Sequence, residues 1–241
     1  MLTQKKIIKK MKKIDLLVLC GGKCGSSTLN ATLNRNGFKS IKVHGRASFI
    51  NQFNYDGLYD FINRSSSNKK LYIVDSYRTP IERKISSFFQ NLENHVPDYK
   101  NKKVKELINI FNNKYLNKLA NGHPIDIIMK NYNVKPFYKF NFEKKYVKKV
   151  QGNLVFIKIL FSDINDWGNI LSKIFNKKII VFSSNLSKKK DYNLLYEKFK
   201  YKYKVPISFL NNKLKNETIF KIYNTKKDQE EYINKWLKKS F

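Results

Sequence analysis

Lys23 heads a short run, Lys23-Cys24-Gly25-Ser26-Ser27-Thr28, that brings together a cation, a glycine and three hydroxyls. Residue types at this density suit one task, surrounding the oxygens of a phosphate group. An apolar stretch (Ile14, Leu16, Leu17, Val18, Leu19) precedes the run, and a helical pattern from Leu29 to Arg35 follows it. The helix would turn its first amides and the positive end of its dipole toward the bound anion. The order is not that of a Walker A loop, where the lysine directly precedes the Ser or Thr. A second cation, Arg78, leaves another strand pattern, and Ser86 follows eight residues later inside a helical one. An arginine fork suits a dianionic phosphate because it binds two oxygens at once. His44, at the end of a short strand pattern, is a candidate general base for a hydroxyl nucleophile.

Those residues must be held by elements that the hydrophobic pattern predicts. Strands are expected at 14–20, 39–45, 69–78 and 153–159, with a short fifth at 177–185. Helices are expected at 26–36, stopped by Asn36-Gly37, then at 55–65, over 98–121 and at 166–175. Another opens at Thr79-Pro80, since proline favours a first helical position. Residues 122–150 read as irregular and aromatic, and the chain after 185 as helical and basic. Strands alternating with helices predict a single α/β domain over 14–241, with a central, mainly parallel sheet flanked by helices. Its ligand would sit at the carboxyl ends of the strands. No internal repeat or linker divides the chain.

Taken together and in order, the two motifs resemble those of the sulfotransferases. "KCGSST" is similar to their Lys-x-Gly-Thr-Thr loop, and Arg78 with Ser86 to their second nucleotide motif. The resemblance implies a P-loop-like three-layer α/β/α fold and the donor substrate 3′-phosphoadenylyl sulfate (PAPS). Residues 23–28 would wrap the 5′-phosphosulfate, and Arg78 and Ser86 the 3′-phosphate. Lys23 would stabilise charge that grows on the leaving phosphate, an interaction stronger in the transition state than in the ground state. Segments 121–146, 156–167, 185–200 and 230–236 look like the bacterial capsular polysaccharide synthesis proteins named for an Asn-Lys-Trp-Tyr-Ser motif. They imply a carbohydrate hydroxyl as acceptor. Here the signature reads Asn234-Lys235-Trp236-Leu237-Lys238 and departs at its last two residues. Rival candidates for the base, behind His44, are His95, His123, Asp126 and Glu82, while Asp75, just before Arg78 on its strand, is expected to orient that arginine.

Composition bounds the alternatives. The net charge of +31 suggests a nucleic-acid binder, but 44 of the 49 basic residues are Lys, only five are Arg, and Asn occurs 29 times. Lys, Asn and Ile share A/T-rich codons, and base-edge readout favours Arg, so no specific nucleic-acid partner is expected. Such a field still attracts anionic ligands and an anionic membrane surface. A kinase or NTPase lacks its lysine before Ser or Thr here, and no Walker B acid stands out. A non-catalytic binder of anionic polymers, or a family member that binds nucleotide without catalysis, is the remaining reading. Cys20 and Cys24 cannot complete a tetrahedral zinc site, and the histidines lack paired spacing, so no metal is expected. Residues 1–13 are expected to be an unstructured basic leader. They imitate a signal peptide, but Asp15 interrupts the apolar stretch and cleavage would destroy the phosphate loop, so the expected location is cytoplasmic.

Overall fold

The computed structural model describes residues 11–117, 123–183 and 192–238. Chain contacts divide these into two compact units, where the sequence reading drew no boundary. The first holds residues up to Arg78 together with 123–183; the second holds 79–117 and everything from 192 onward.

The first unit begins with β1 (Leu16–Leu19), α1 (Ser26–Arg35), β2 (Ser40–Val43), α2 (Arg46–Phe53), α3 (Leu58–Ser66) and β3 (Leu71–Tyr77). The second unit takes over at α4 (Pro80–Gln90), α5 (Leu92–His95) and α6 (Val104–Phe111). The chain rejoins the first with α7 (Pro124–Asn131), β4 (Tyr146–Gln151), β5 (Leu154–Leu160) and α8 (Trp167–Phe175). It ends in the second with α9 (Asn193–Lys202), α10 (Thr218–Ile222) and α11 (Lys226–Leu237).

The five strands form one sheet in the order β2-β1-β3-β5-β4, parallel except for β4. All seven residues of β5 and six of the seven of β3 are buried, as expected of parallel strands covered on both faces. Alternation of side chains sorts them. Leu16, Val18, Val74, Val155, Ile157 and Ile159 pack with Leu29 and Leu33 of α1 and with Trp167, Ile170 and Leu171 of α8. The opposite residues of β3 face α3 and α7, which lie against that strand. The result is an α/β unit with a mostly parallel sheet between helical layers.

The structure departs from the sequence reading at 177–183, at β4 and α7, and in adding α2 at 46–53, where no element was expected. Residues 177–183 are not a strand: they run along α1, held by side chains. The Ile180 amide donates to the Asn36 side chain, which donates back to the Ile180 carbonyl at 2.8 Å, and the Phe182 amide donates to the Thr32 hydroxyl at 3.0 Å. Residues 184 and 185 of that expected strand lie outside the described residues. The fifth strand is β4, within the stretch read as irregular, and α7 lies there too. β4 is an antiparallel edge strand joined to β5 by the two-residue turn Gly152-Asn153, with Gly152 at φ +54°. Its lysines hide it from a hydrophobic-run criterion, yet lysine is what an edge strand carries to discourage pairing with another chain.

Residues 1–10 of the expected leader lie outside the described residues, but its end is packed. Met11 is buried, and its carbonyl accepts from the Ser65 hydroxyl at 2.9 Å. No helix among the described residues is long and apolar enough to cross a membrane.

In the second unit an aromatic core gathers Phe88, Phe89, Phe111, Phe199, Tyr203 and Trp236. Trp236 of the C-terminal signature is one of its anchors. Lys235 sets its ammonium 2.9 Å from Glu82 in the first turn of α4, which also accepts from the Tyr232 hydroxyl.

Candidate functional site

The strand order gives the site its place. From β1 the chain moves to β2 on one side and then crosses to β3 on the other, so a crevice opens between the carboxyl ends of β1 and β3. The loop 20–25 leaves β1 at this end, and Arg78 follows β3 there.

Gly25 takes the N-cap position of α1 with φ +79° and ψ 13°, a left-handed conformation that glycine adopts without penalty. A methyl group on it would meet the Trp167 ring at 2.8 Å and the Phe161 ring at 2.9 Å. A phosphate approaching the loop backbone would by itself favour a glycine here. Packing beneath the loop supplies a second and separate reason. Lys23 also has positive φ, at 66°, so the turn places two left-handed residues around Cys24 and carries the backbone sharply into α1.

The Cys24 side chain belongs to the core below, where its thiol donates to the Gly22 carbonyl at 3.6 Å, leaving only its backbone for a ligand. Cys20 is buried too, and burial, with the Asp75 carboxylate nearby, pushes its thiol pKa well up. Both are packing residues. Ser26 and Thr28 are nearly buried in the first turn of α1, and the half-buried Ser27 hydroxyl accepts from the Lys42 ammonium at 3.0 Å. Lys42 was not singled out from the sequence. On β2 it shares a face with Ser40, which bonds to Asn30 of α1, so strand alternation aims both at the helix.

Arg78 comes to the loop directly. Its guanidinium donates to the Lys23 carbonyl at 3.0 Å and lies 4.6 Å over the centre of the Phe161 ring. Phe161 therefore supports both motifs, packing under Gly25 and under Arg78. It follows β5 in a 3₁₀ turn, Phe161–Asp166, and is braced edge-on by Trp167, whose indole donates to the Leu160 carbonyl at 2.8 Å. Neither aromatic was assigned a role from sequence; the segment drew notice only through the resemblance.

His44 lies at the other flank of the loop. Its Nδ1 is 2.8 Å from the Cys20 carbonyl. A carbonyl only accepts, so Nδ1 carries the proton and Nε2 of the neutral ring is left as the acceptor, the atom a general base needs. The ring is exposed at the same sheet end as Lys23.

The rival bases stand elsewhere. His95 packs against Tyr115 and Phe88 in the second unit, and Glu82 is engaged by Lys235 there. Asp126 is raised by burial in α7. Asp75 does not orient Arg78. It pairs with its in-register neighbour Lys158 on β5, Nζ to Oδ2 2.8 Å, both fully buried, with His123 Nδ1 3.5 Å away. Burial alone would raise the Asp75 pKa, but Lys158 and His123 bring it down to about 2. Ser86, expected to act with Arg78, lies half-buried on α4 of the second unit, with Ser87 beside it more exposed.

Fold and site thus define a class: an α/β protein whose mostly parallel sheet carries a lysine-first glycine loop flanked by an arginine and a histidine. Compared with protein-family models, with curated proteins and with solved structures, the chain matches none of them.

Proposed function

We propose that the protein transfers a sulfuryl group from PAPS to a carbohydrate hydroxyl. The observation that carries this reading is the guanidinium of Arg78, held on the Lys23 carbonyl and on Phe161, because it brings a cation from the end of β3 to the glycine loop 55 residues away in the chain. Residues 23–28 and Lys42 hold the 5′-phosphosulfate, and Arg78 holds the 3′-phosphate. His44 takes the proton from the acceptor hydroxyl at Nε2 as its oxygen bonds to sulfur. The bond from sulfur to the bridging oxygen breaks, and Lys23 meets the charge left on that phosphate oxygen. Adenosine 3′,5′-bisphosphate departs. The reading rests on the first unit alone, and it places the work in the cytoplasm, where such a nucleotide donor would be met.

Thermal unfolding of the full chain tests it. Adenosine 3′,5′-bisphosphate at a hundredfold excess over its dissociation constant should stabilise by about 2.7 kcal/mol, and ATP-magnesium should not. Arg78→Ala should weaken the bisphosphate at least tenfold while leaving adenosine 5′-phosphosulfate nearly unchanged. Equal losses for both ligands would remove Arg78 from the 3′-phosphate. Stabilisation by ATP-magnesium alone would replace the reading with that of a nucleotide kinase.

A further inference from the structure

The first unit carries a second feature shaped for a ligand. An open cleft of about 590 Å³ runs along residues 137–149, ahead of and along the edge strand β4. Tyr138 there is 79% exposed and Phe142 36%, a large aromatic outlay for a surface segment. Lys149 is committed to the wall itself. Its ammonium donates to the carbonyls of Lys135 at 2.7 Å and Pro136 at 3.2 Å, and it stands 5.7 and 5.5 Å from the ring centres of Phe137 and Tyr138. Lys139 and Lys148 are exposed along the same lining, with Glu143 as its one carboxylate.

We propose that this cleft binds an acidic saccharide chain. Tyr138 offers an apolar face to the C–H face of a sugar ring, Lys139 and Lys148 meet its carboxylates, and Glu143 accepts from its hydroxyls. A single strand of nucleic acid fits the same wall less well. Such strands need successive open rings as stacking platforms and an unbroken basic track. Here Tyr138 is the one widely open ring, since Phe142 packs edge-to-face with the buried Phe140, centroids 5.1 Å apart. Glu143 interrupts the basic track, which a chain with hydroxyls between its charges tolerates better than one with a phosphate at every unit.

Position adds an argument of its own. β4 begins at Tyr146, opposite Ile159 at the carboxyl end of β5, and Lys145 just ahead of it is tied to Asp166 at 2.7 Å. The segment that joins the two parts of the cleft lining, between Glu143 and Val147, therefore passes the sheet end where the phosphate loop lies. β4 stands three strand spacings from β1, about 14 Å, a distance that a chain of several sugars spans and one sugar does not. The saccharide serves as the acceptor only if the sulfuryl-transfer reading holds; its binding does not depend on that.

Calorimetric titration of the full chain tests the assignment. The probes are an unsulfated hexasaccharide containing uronic acid, a neutral glucose hexasaccharide and an oligothymidylate. The acidic hexasaccharide should bind most tightly. Tyr138→Ala should weaken it about tenfold, and Lys148→Glu at least as much, with a shallower dependence on salt. Both residues are exposed, so the variants should fold. Equal affinity for the neutral sugar, unchanged affinity in both variants, or tighter binding of the oligothymidylate at these residues would overturn the proposal. Adenosine 3′,5′-bisphosphate, titrated separately, keeps the two proposals apart. A protein that takes the acidic saccharide but not the nucleotide overturns sulfuryl transfer and leaves the cleft standing.

Discussion

His44 and Lys23 illustrate how a local backbone decides what a side chain can do. The Cys20 carbonyl fixes the proton of His44 on Nδ1, so one hydrogen bond sets which nitrogen faces solvent at the loop. If Nε2 receives the acceptor's proton, His44→Ala should abolish most transfer while adenosine 3′,5′-bisphosphate still binds with wild-type affinity. His44→Gln keeps a donor toward Cys20 but offers no basic nitrogen, so it should not restore turnover. Recovery of turnover in His44→Gln, measured with saturating acceptor, would reduce the histidine to a brace for the loop. Lys23→Ala should behave differently from Arg78→Ala. If the proposed sulfuryl transfer holds, it should lower turnover by roughly 10²–10³ with a smaller loss of nucleotide affinity, because the main interaction of Lys23 would then form as the bond to sulfur breaks.

At the scale of elements, β3 and β5 are joined by a feature that hydrophobic patterning does not anticipate. Asp75 and Lys158 are opposite each other in mid-sheet, with no exposure on either side chain. Removing one partner of a buried pair leaves the other charge uncompensated, so Lys158→Met should cost about 3–5 kcal/mol, whereas Asp75→Leu with Lys158→Met should recover much of it. The pH dependence has a definite sign. Asp75 titrates near 2 in the folded chain and near 3.8 in the unfolded one, so its contribution is present above pH 4 and is lost as pH falls toward 2. The linkage is worth roughly 2 kcal/mol. Chemical denaturation of wild type and Lys158→Met between pH 2 and 6 should show the variant lacking this part of the acid loss. Identical slopes would mean that Lys158 is not what holds Asp75 ionised.

For the whole molecule, the charge of +31 acts as a background field. It predicts loose binding of any polyanion, with affinity falling steeply as salt rises. The crevice at β1 and β3 has a different character, with a nearly buried first turn and a guanidinium fixed on an aromatic ring. Stabilisation by adenosine 3′,5′-bisphosphate should therefore survive near-molar sodium chloride at a concentration of nucleotide that saturates the site, while retention on a polyphosphate resin should not. A nucleotide effect that vanishes together with the retention would place the nucleotide on the general basic surface.

The sequence by itself determined the strand–loop–helix at 14–35, the second and third strands, the strand expected at 153–159 and found at Leu154–Leu160, and the helices that follow the third and fourth strands, but not α2 directly after β2. Each is fixed by near-neighbour physics: an apolar run of strand length, a glycine at a turn, a proline at a helix start. It also placed Lys23, His44 and Arg78 at strand ends. It missed β4, whose lysines mask an edge strand although Gly152-Asn153 marks its hairpin, and it turned a segment bonded to α1 by side chains into a strand. Only the tertiary structure decided that Arg78 rests on the Lys23 carbonyl, that Phe161 lies beneath both Arg78 and Gly25, that Lys42 meets Ser27, and that Asp75 belongs to Lys158. These are contacts between residues far apart in the chain. They depend on strand order and register, which are set by how whole faces of the sheet bury against helices and not by any short stretch of sequence.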